Sequence, residues 1–437
     1  MAITRGRVET FHDDQVIVAL PHLNIVTRAL TYFGVRYANV EPHEALGLAK
    51  VSGLANLGRA VNQLRQQDGI GADLAAYETA RGAEVGGTAP LLDVLSKGLR
   101  LHFTQVYAGW APEFGKNRGV AQVLGFPHVG GPPPSDPIVP AGSAVGDPRP
   151  TTAAVTFAAP DRGRGVRVGL LDTRIYPAGS LAGRYLARPY SLIDPRDDAL
   201  EAAAGHGTFV ASCILQQAPA AELHVHRVLD DTASGDTWTA ATSMVEMAET
   251  GVDIMNLSFG QFSTDDNQPP LVLETAVNLI SRRTVIVAAA GNHGGLQPSA
   301  DRPRDVQPNT PVWPAACLGV IAVGALDQAG KLASFTPDVP WTSLLATGVN
   351  VTGDYLRGDV LIEHRDADGG LIDRAKIEQF DGTAEWAGSS FAAAFVSGKL
   401  AAQTRPGAHS AHQARSELLQ PGATVEDNGV LFCVPER

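Results

Sequence analysis

Four polar side chains stand in small-residue settings that suit chemistry. Gly388-Ser389-Ser390-Phe391-Ala392 places a hydroxyl just ahead of an apolar run, Phe391 to Gly398, that predicts a buried helix. A helix start there would bring free N–H groups beside a reacting carbon. Val166 to Thr173 is a short apolar run ending in Asp172, which reads as a buried strand with a carboxylate at its C-terminal edge. In open α/β sheets that edge is where ligands collect. His206 lies between two glycines, in Gly205-His206-Gly207-Thr208, at the head of an apolar stretch from Phe209 to Leu215 that suggests a helix. Val285 to Ala290 reads as another buried strand, and it ends at Gly291-Asn292, an amide able to donate to a developing oxyanion. Each of these residues alone has an ordinary alternative as a cap, turn or packing residue. Together they supply acid, base, nucleophile and oxyanion donor.

Serine needs an adjacent base to become a useful nucleophile. The base in turn needs a carboxylate that fixes its tautomer and stabilises the imidazolium. The chain order Asp172, His206, Ser390 is one of the orders in which such triads occur. On these blocks the chain resembles the subtilases, the subtilisin-like serine peptidases. Further stretches match in order between roughly residues 161 and 405: Ile254 to Gly260, Ala288 to Asn292, Pro314-Ala315-Ala316 with Val320 to Ala325, Ala333-Ser334-Phe335, and Ala346 to Val349.

The resemblance implies a serine endopeptidase that forms an acyl-enzyme on Ser390 and needs no cofactor. His206 would move the proton and Asp172 would orient His206. Asn292, with the Ser390 N–H, would hold the oxyanion. Ser258, Phe259 and Gly260 would pair with an extended substrate, and Ala289 and Gly291 would wall the primary specificity pocket. The rival reading is a catalytically silent module that holds peptides in the same groove; an esterase of related chemistry is a second.

Some positions depart from the family pattern. Arg174 stands where glycine is usual, and the expectation is that it points to solvent rather than to Asp172. Ala394 replaces a proline, Ala387 an Asn or Ser, and Phe209 a second histidine. None deletes a group the reaction needs. The stretch after His206 runs almost directly through Pro219 into a strand from Glu222, without the oxygen-rich loop a tight calcium site demands, so no metal is expected there. Asp265-Asp266-Asn267 and Asp366-Ala367-Asp368 read as solvated turns.

At 437 residues, two domains are expected. A formal net charge of −12 disfavours nucleic acid or an anionic membrane as the main partner. Three cysteines give no disulfide framework, and Cys213 and Cys317 read as buried small hydrophobes. No secretory signal or membrane-length apolar run appears, so the sequence suggests a cytoplasmic protein acting on peptides or proteins.

The elements that must position the chemistry predict an α/β fold. A mostly parallel sheet with helices on both faces spans about 161–437, from strands Val166 to Leu171, Glu222 to Leu229, Ile254 to Ser258 and Val285 to Ala290. Residues 351 to 385 look like a hairpin-rich insertion turning at Asp368-Gly369-Gly370. The tail carries a short helix and a strand, Val430 to Val434. A smaller α+β domain precedes this, over 1–125: strand Gln15 to Leu20, helix His22 to Phe33, strands Val35 to Val40 and Leu46 to Val51, helix Leu54 to Gln67, and a further helix Leu91 to Leu101. Its order resembles the inhibitory pro-domains of subtilases, so it either docks on the catalytic groove or selects substrates. A Pro/Gly-rich linker, 126–160, joins the two.

Overall fold

The computed structural model describes residues 3–5, 10–85, 87–122, 147–197, 199–263, 268–295, 307–362, 376–421, 424–426 and 430–433. The acidic pairs at 265–267 and 366–368, the turn at 368–370 and the proline-rich heart of the linker lie outside the described residues. Chain contacts divide the protein into two compact units. The first is Met1–Gly119 with Asp236–Thr242 and Pro270–Thr275; the second is Val120–Gly235, Ser243–Pro269 and Ala276–Arg437.

The first unit is an antiparallel sheet with helices. Its elements are β1 (Ile3–Arg5), β2 (Thr10–Ala19), α1 (Leu23–Tyr32), β3 (Asn39–His43), β4 (Leu48–Ser52), α2 (Leu57–Arg65), α3 (Gly71–Val85), α4 (Leu91–Val106) and β5 (Phe114–Gln122). The strands lie in the order β5-β2-β4-β3, with β1 also on β2. Helical spacing puts Val26, Ala29 and Leu30 of α1, Val61 and Leu64 of α2, and Leu95 and Leu99 of α4 into one core with Val16, Val18 and Val51. The sequence places the third strand at Val35 to Val40; pairing with β4 sets it instead at Asn39–His43. Helix α3 and strand β5 add elements that the sequence pattern does not resolve.

The chain continues with β6 (Arg149–Pro150), followed by β7 (Arg167–Asp172), β8 (Tyr185–Ala187), β9 (Leu200–Glu201), α5 (His206–Gln217), β10 (Glu222–Arg227), β11 (Ser234–Asp236) and α6 (Thr237–Glu249). Then come β12 (Ile254–Leu257), β13 (Phe259–Gly260), α7 (Leu271–Ile280), β14 (Val285–Ala289), β15 (Val320–Leu326), β16 (Thr342–Thr347), β17 (Val351–Ile362), β18 (Lys376–Trp386), α8 (Ser389–Gln403), α9 (Ala411–Leu418), β19 (Thr424–Glu426) and β20 (Val430–Cys433). Nine strands form one sheet, ordered β19-β20-β16-β15-β14-β12-β7-β10-β8. Pairing is parallel from β16 to β8, with antiparallel additions at the β20 edge. Strands β7, β12 and β14 are apolar and almost wholly buried, as parallel strands covered on their faces require. The expected insertion is the hairpin β17–β18, which forms a four-stranded sheet with β6 and β9. Part of the expected linker is therefore paired: Arg149 and Pro150 run against Glu385 and Ala384.

Among the described residues, no helix is long and apolar enough to cross a membrane, and no cluster of His, Cys, Asp or Glu could hold a metal ion.

Candidate active site

The register of three neighbouring strands brings the site together. Leu257 of β12 lies opposite Leu171 of β7 and Ala288 of β14. Asp172, Ser258 and Ala289 thus stand at the same level, each at the C-terminal end of its strand, where a parallel sheet opens into a crevice.

Asp172 is wholly buried, and its Oδ1 accepts from His206 Nδ1 at 2.7 Å and from the Thr173 N–H at 2.7 Å. A carboxylate only accepts, so the imidazole proton lies on Nδ1 and a neutral ring keeps its lone pair at Nε2. His206 opens helix α5. Its flanking glycines are required by close approach. A Cβ on Gly205 would fall 2.2 Å from the Tyr355 ring, and one on Gly207 would fall 2.9 Å from the Thr173 carbonyl oxygen. Thr173 ties the two elements further: its Oγ1 accepts from Gly207 N at 2.9 Å and donates to Ala204 O at 3.1 Å.

The His206 ring packs in an aromatic wall, 5.7 Å from Trp386 and 5.6 Å from Phe391, centroid to centroid. Phe209, one turn along α5, joins this wall at 4.5 Å from Phe391 and 5.7 Å from Trp386. The phenylalanine that stands where the family often has a second histidine is therefore a buried packing residue beside the base.

Ser390 sits in the first turn of α8 and is 1% exposed. Its Oγ donates to the Ser258 carbonyl oxygen at 3.3 Å, while His206 Nε2 is buried without a partner. The structure thus brings Asp172 and His206 into contact and places Ser390 in the first turn of α8, with its hydroxyl turned to Ser258 at the end of β12. Asn292 Oδ1 accepts from the Ser389 N–H at 2.8 Å, which leaves Nδ2 as the donor end of that amide. That nitrogen lies 3.6 Å from where a Cβ on Gly388 would stand, beside the first turn of α8.

Several further residues hold this arrangement. Asn256 Nδ2 donates to Ser258 Oγ at 2.8 Å, Ser258 Oγ donates to the Ser390 carbonyl at 3.0 Å, and Ser397 Oγ donates to Asn256 Oδ1 at 3.0 Å. The Gly291 N–H donates to Ser389 Oγ at 3.3 Å. The signal available in the sequence was an asparagine inside an otherwise apolar buried strand, since a polar group so placed must find partners.

Arg174 corrects one expectation. It does not point to solvent; its guanidinium forks onto Asp231, Nε to Oδ1 at 2.9 Å and Nη2 to Oδ2 at 2.7 Å, with Asp197 at 3.4 Å. The loop after β10 offers a carboxylate pair geometry that water does not. Ala394 is fully buried within α8, and Cys213 and Cys317 are buried.

The Subtilase family profile matches residues 163–432. Subtilisin Savinase of Lederbergia lenta is 33% identical over 205 residues, spanning 44% of this chain and 67% of that protein. The alkaline protease of Shouchella clausii has the same identity over the same length, but only 48% of it is covered, so the chain spans about half of that relative. Among solved structures, the MycP3 protease from a type VII secretion system aligns at a TM-score of 0.46 and 23% identity, covering 66% of this chain and 92% of that one. With the matched profile spanning the greater part of its length, the chain belongs to the subtilase family of serine peptidases.

Proposed function

We propose that this protein is a serine endopeptidase that hydrolyses peptide bonds through an acyl-enzyme on Ser390. The observation that carries this reading is the 2.7 Å bond from His206 Nδ1 to buried Asp172, which points the basic Nε2 away from the carboxylate. Rotation of the Ser390 hydroxyl from Ser258 toward Nε2 completes the relay; such bonds often tighten only when substrate is present. Ser390 Oγ then attacks the carbonyl carbon as its proton passes to Nε2. The oxyanion is met by the Ser390 N–H and Asn292 Nδ2. Collapse expels the amine, which takes the proton from His206, and water releases the acyl group by the same steps in reverse roles.

An extended peptide would add to the strand edge at Ser258–Gly260. The chain's own Ala121 and Gln122 pair antiparallel with Gly260 and Phe259 at that edge. A substrate pairing at the same edge would have to displace Ala121 and Gln122, which favours the reading in which the N-terminal region limits access to the groove over the one in which it selects substrates.

The test is digestion of a peptide mixture, followed by mass spectrometry. Cleavage by the wild type and none by Ser390→Ala is expected. Equal cleavage by both would remove Ser390 from the mechanism, and none by either would favour the silent peptide-binding module.

A further inference from the structure

The base of the proposed relay is held by more than its carboxylate. The bond from His206 Nδ1 to Asp172 fixes one edge of the imidazole. The torsion that swings such a ring is soft, so one hydrogen bond does not by itself fix where Nε2 aims. Two aromatic rings supply the second constraint. Trp386 stands perpendicular to the His206 ring, at 89° and 5.7 Å between centroids, and Phe391 is tilted against it at 43° and 5.6 Å. Those two rings touch one another at 5.2 Å. All three side chains are buried. Perpendicular and offset contacts at about 4.5–7 Å are the arrangements that aromatic rings prefer.

Trp386 is itself held on both sides. It closes β18, where it pairs with Val351 of β17. Its neighbours Ala384 and Glu385 pair with Pro150 and Arg149 of β6, and Thr383 Oγ1 donates to the Thr151 carbonyl at 2.7 Å. The β17–β18 hairpin also grips the helix that carries His206. Tyr355 of β17 meets Trp386 at 5.8 Å, and its hydroxyl donates to the Ala202 carbonyl, just ahead of α5, at 2.5 Å. Ser212 Oγ donates to Asp354 Oδ2 at 2.8 Å, and Gln216 Nε2 donates to the Thr352 carbonyl at 2.9 Å. With Phe209 at 5.7 Å from Trp386, these α5 contacts recur at helical spacing along one face. Ring and base are thus fixed to one frame, as a group that must be aimed requires.

We infer that Trp386 is a positioning residue for the reaction: its ring fixes the plane of the His206 imidazole, so that Nε2 stays aimed through every proton transfer. This rests on the proposed peptidase reading and adds a residue to it. In that reading Nε2 takes the proton of Ser390 Oγ as the oxygen bonds to the carbonyl carbon. It gives that proton to the leaving nitrogen as the C–N bond breaks, and repeats both transfers with water. Each transfer needs Nε2 within hydrogen-bond reach, and a misplacement of about 1 Å can cost on the order of 10²-fold. Trp386 exchanges no proton; it acts through His206.

The experiment follows a nitrophenyl ester of N-acetylalanine on the full chain, intact and nicked within 123–146. Early nitrophenol release reports acylation of Ser390, and the later steady rate reports hydrolysis of the acyl-enzyme. During hydrolysis the leaving group has gone, so any contact between Trp386 and that part of the substrate cannot contribute. Trp386→Leu should slow hydrolysis by about tenfold, while the ester concentration that half-saturates acylation changes by less than about twofold. Trp386→Phe keeps a ring that can stand edge to face, and should stay within about threefold of the wild type. Both substitutions leave the site underfilled. Equal slowing by the two would mean that packing volume alone matters, and would overturn the inference; so would an unchanged rate in Trp386→Leu. Should Trp386→Leu fail to fold, as judged by denaturant melts, Trp386→Met fills the gap more flexibly and takes its place in the same comparison. A wild type with no nitrophenol release beyond that of Ser390→Ala removes the peptidase reading and this inference with it. A wild type with Ser390-dependent release, and variants that hydrolyse the acyl-enzyme alike, removes this inference alone.

Discussion

Asn292 has its two amide ends in different roles. Its oxygen is taken by the Ser389 N–H at 2.8 Å, so its nitrogen is oriented by a bond rather than by chance. In the proposed mechanism, replacing it with alanine removes one oxyanion donor and should lower kcat by roughly 10²–10³, about 3 kcal/mol, a magnitude established for the corresponding subtilisin residue. KM should change little, because that contact strengthens in the transition state; peptide kinetics on Asn292→Ala check this. His293 carries a prediction of a different kind. Burial lowers its pKa from 6.5 to about 4, so the unfolded chain takes up the proton first as pH falls. Its contribution to stability is complete above pH 6.5 and is lost as pH drops through the folded value, at about 1.4 kcal/mol per unit across that window. Denaturant melts between pH 7 and 4 should show a shallower acid loss for His293→Phe than for the wild type; equal slopes would exclude this histidine as a source. His206, Asn292 and Ser390 stand out in the sequence by their small-residue settings and Asp172 by closing an apolar run; at His206 close backbone approach dictates the flanking glycines. The Asp231 partner of Arg174 was not, since an ion pair far apart in sequence leaves no local pattern.

Elements explain why some segments read easily and others did not. Strands β7 and β14 read clearly because they are short, branched and buried. Strand β5 carries Gly115, Lys116, Asn117, Arg118 and Gly119, which no propensity assigns to a buried strand. It is stabilised by partners instead. Lys116 Nζ lies 2.7 Å from Asp93 of α4, and Arg81 of α3 lies 2.6 Å from the same carboxylate. Asn117 Nδ2 donates to Gln15 at 2.8 Å and to Asp236 at 3.0 Å, and its Oδ1 accepts from the Trp238 N–H at 3.0 Å. Asp236 caps α6 in turn, accepting from Thr239 N at 3.0 Å. Asp93→Ala would leave two buried cations without that anion and should destabilise the first unit by roughly 3 kcal/mol or more, read as a lowered denaturation midpoint; a change under about 1 kcal/mol would mean that other groups hold those cations. Helix α3 was missed for the opposite reason: its alanine-rich sequence has no strong apolar face to betray it.

At the scale of the whole molecule, a subtilase core is joined to an N-terminal unit of antiparallel strands and helices. Residues 121 and 122 pair with Phe259 and Gly260, the edge at which the proposed function places an extended substrate, and the sequence that follows them is rich in proline and glycine. Under the proposed function, access to Ser390 depends on the enzyme's own chain. Fluorophosphonate labelling of the full-length protein, before and after limited proteolysis within 123–146 and with Ser390→Ala as control, tests this most directly. Labelling should require Ser390 and rise after cleavage. Labelling of the Ser390→Ala variant, or none of the wild type in either state, would contradict it.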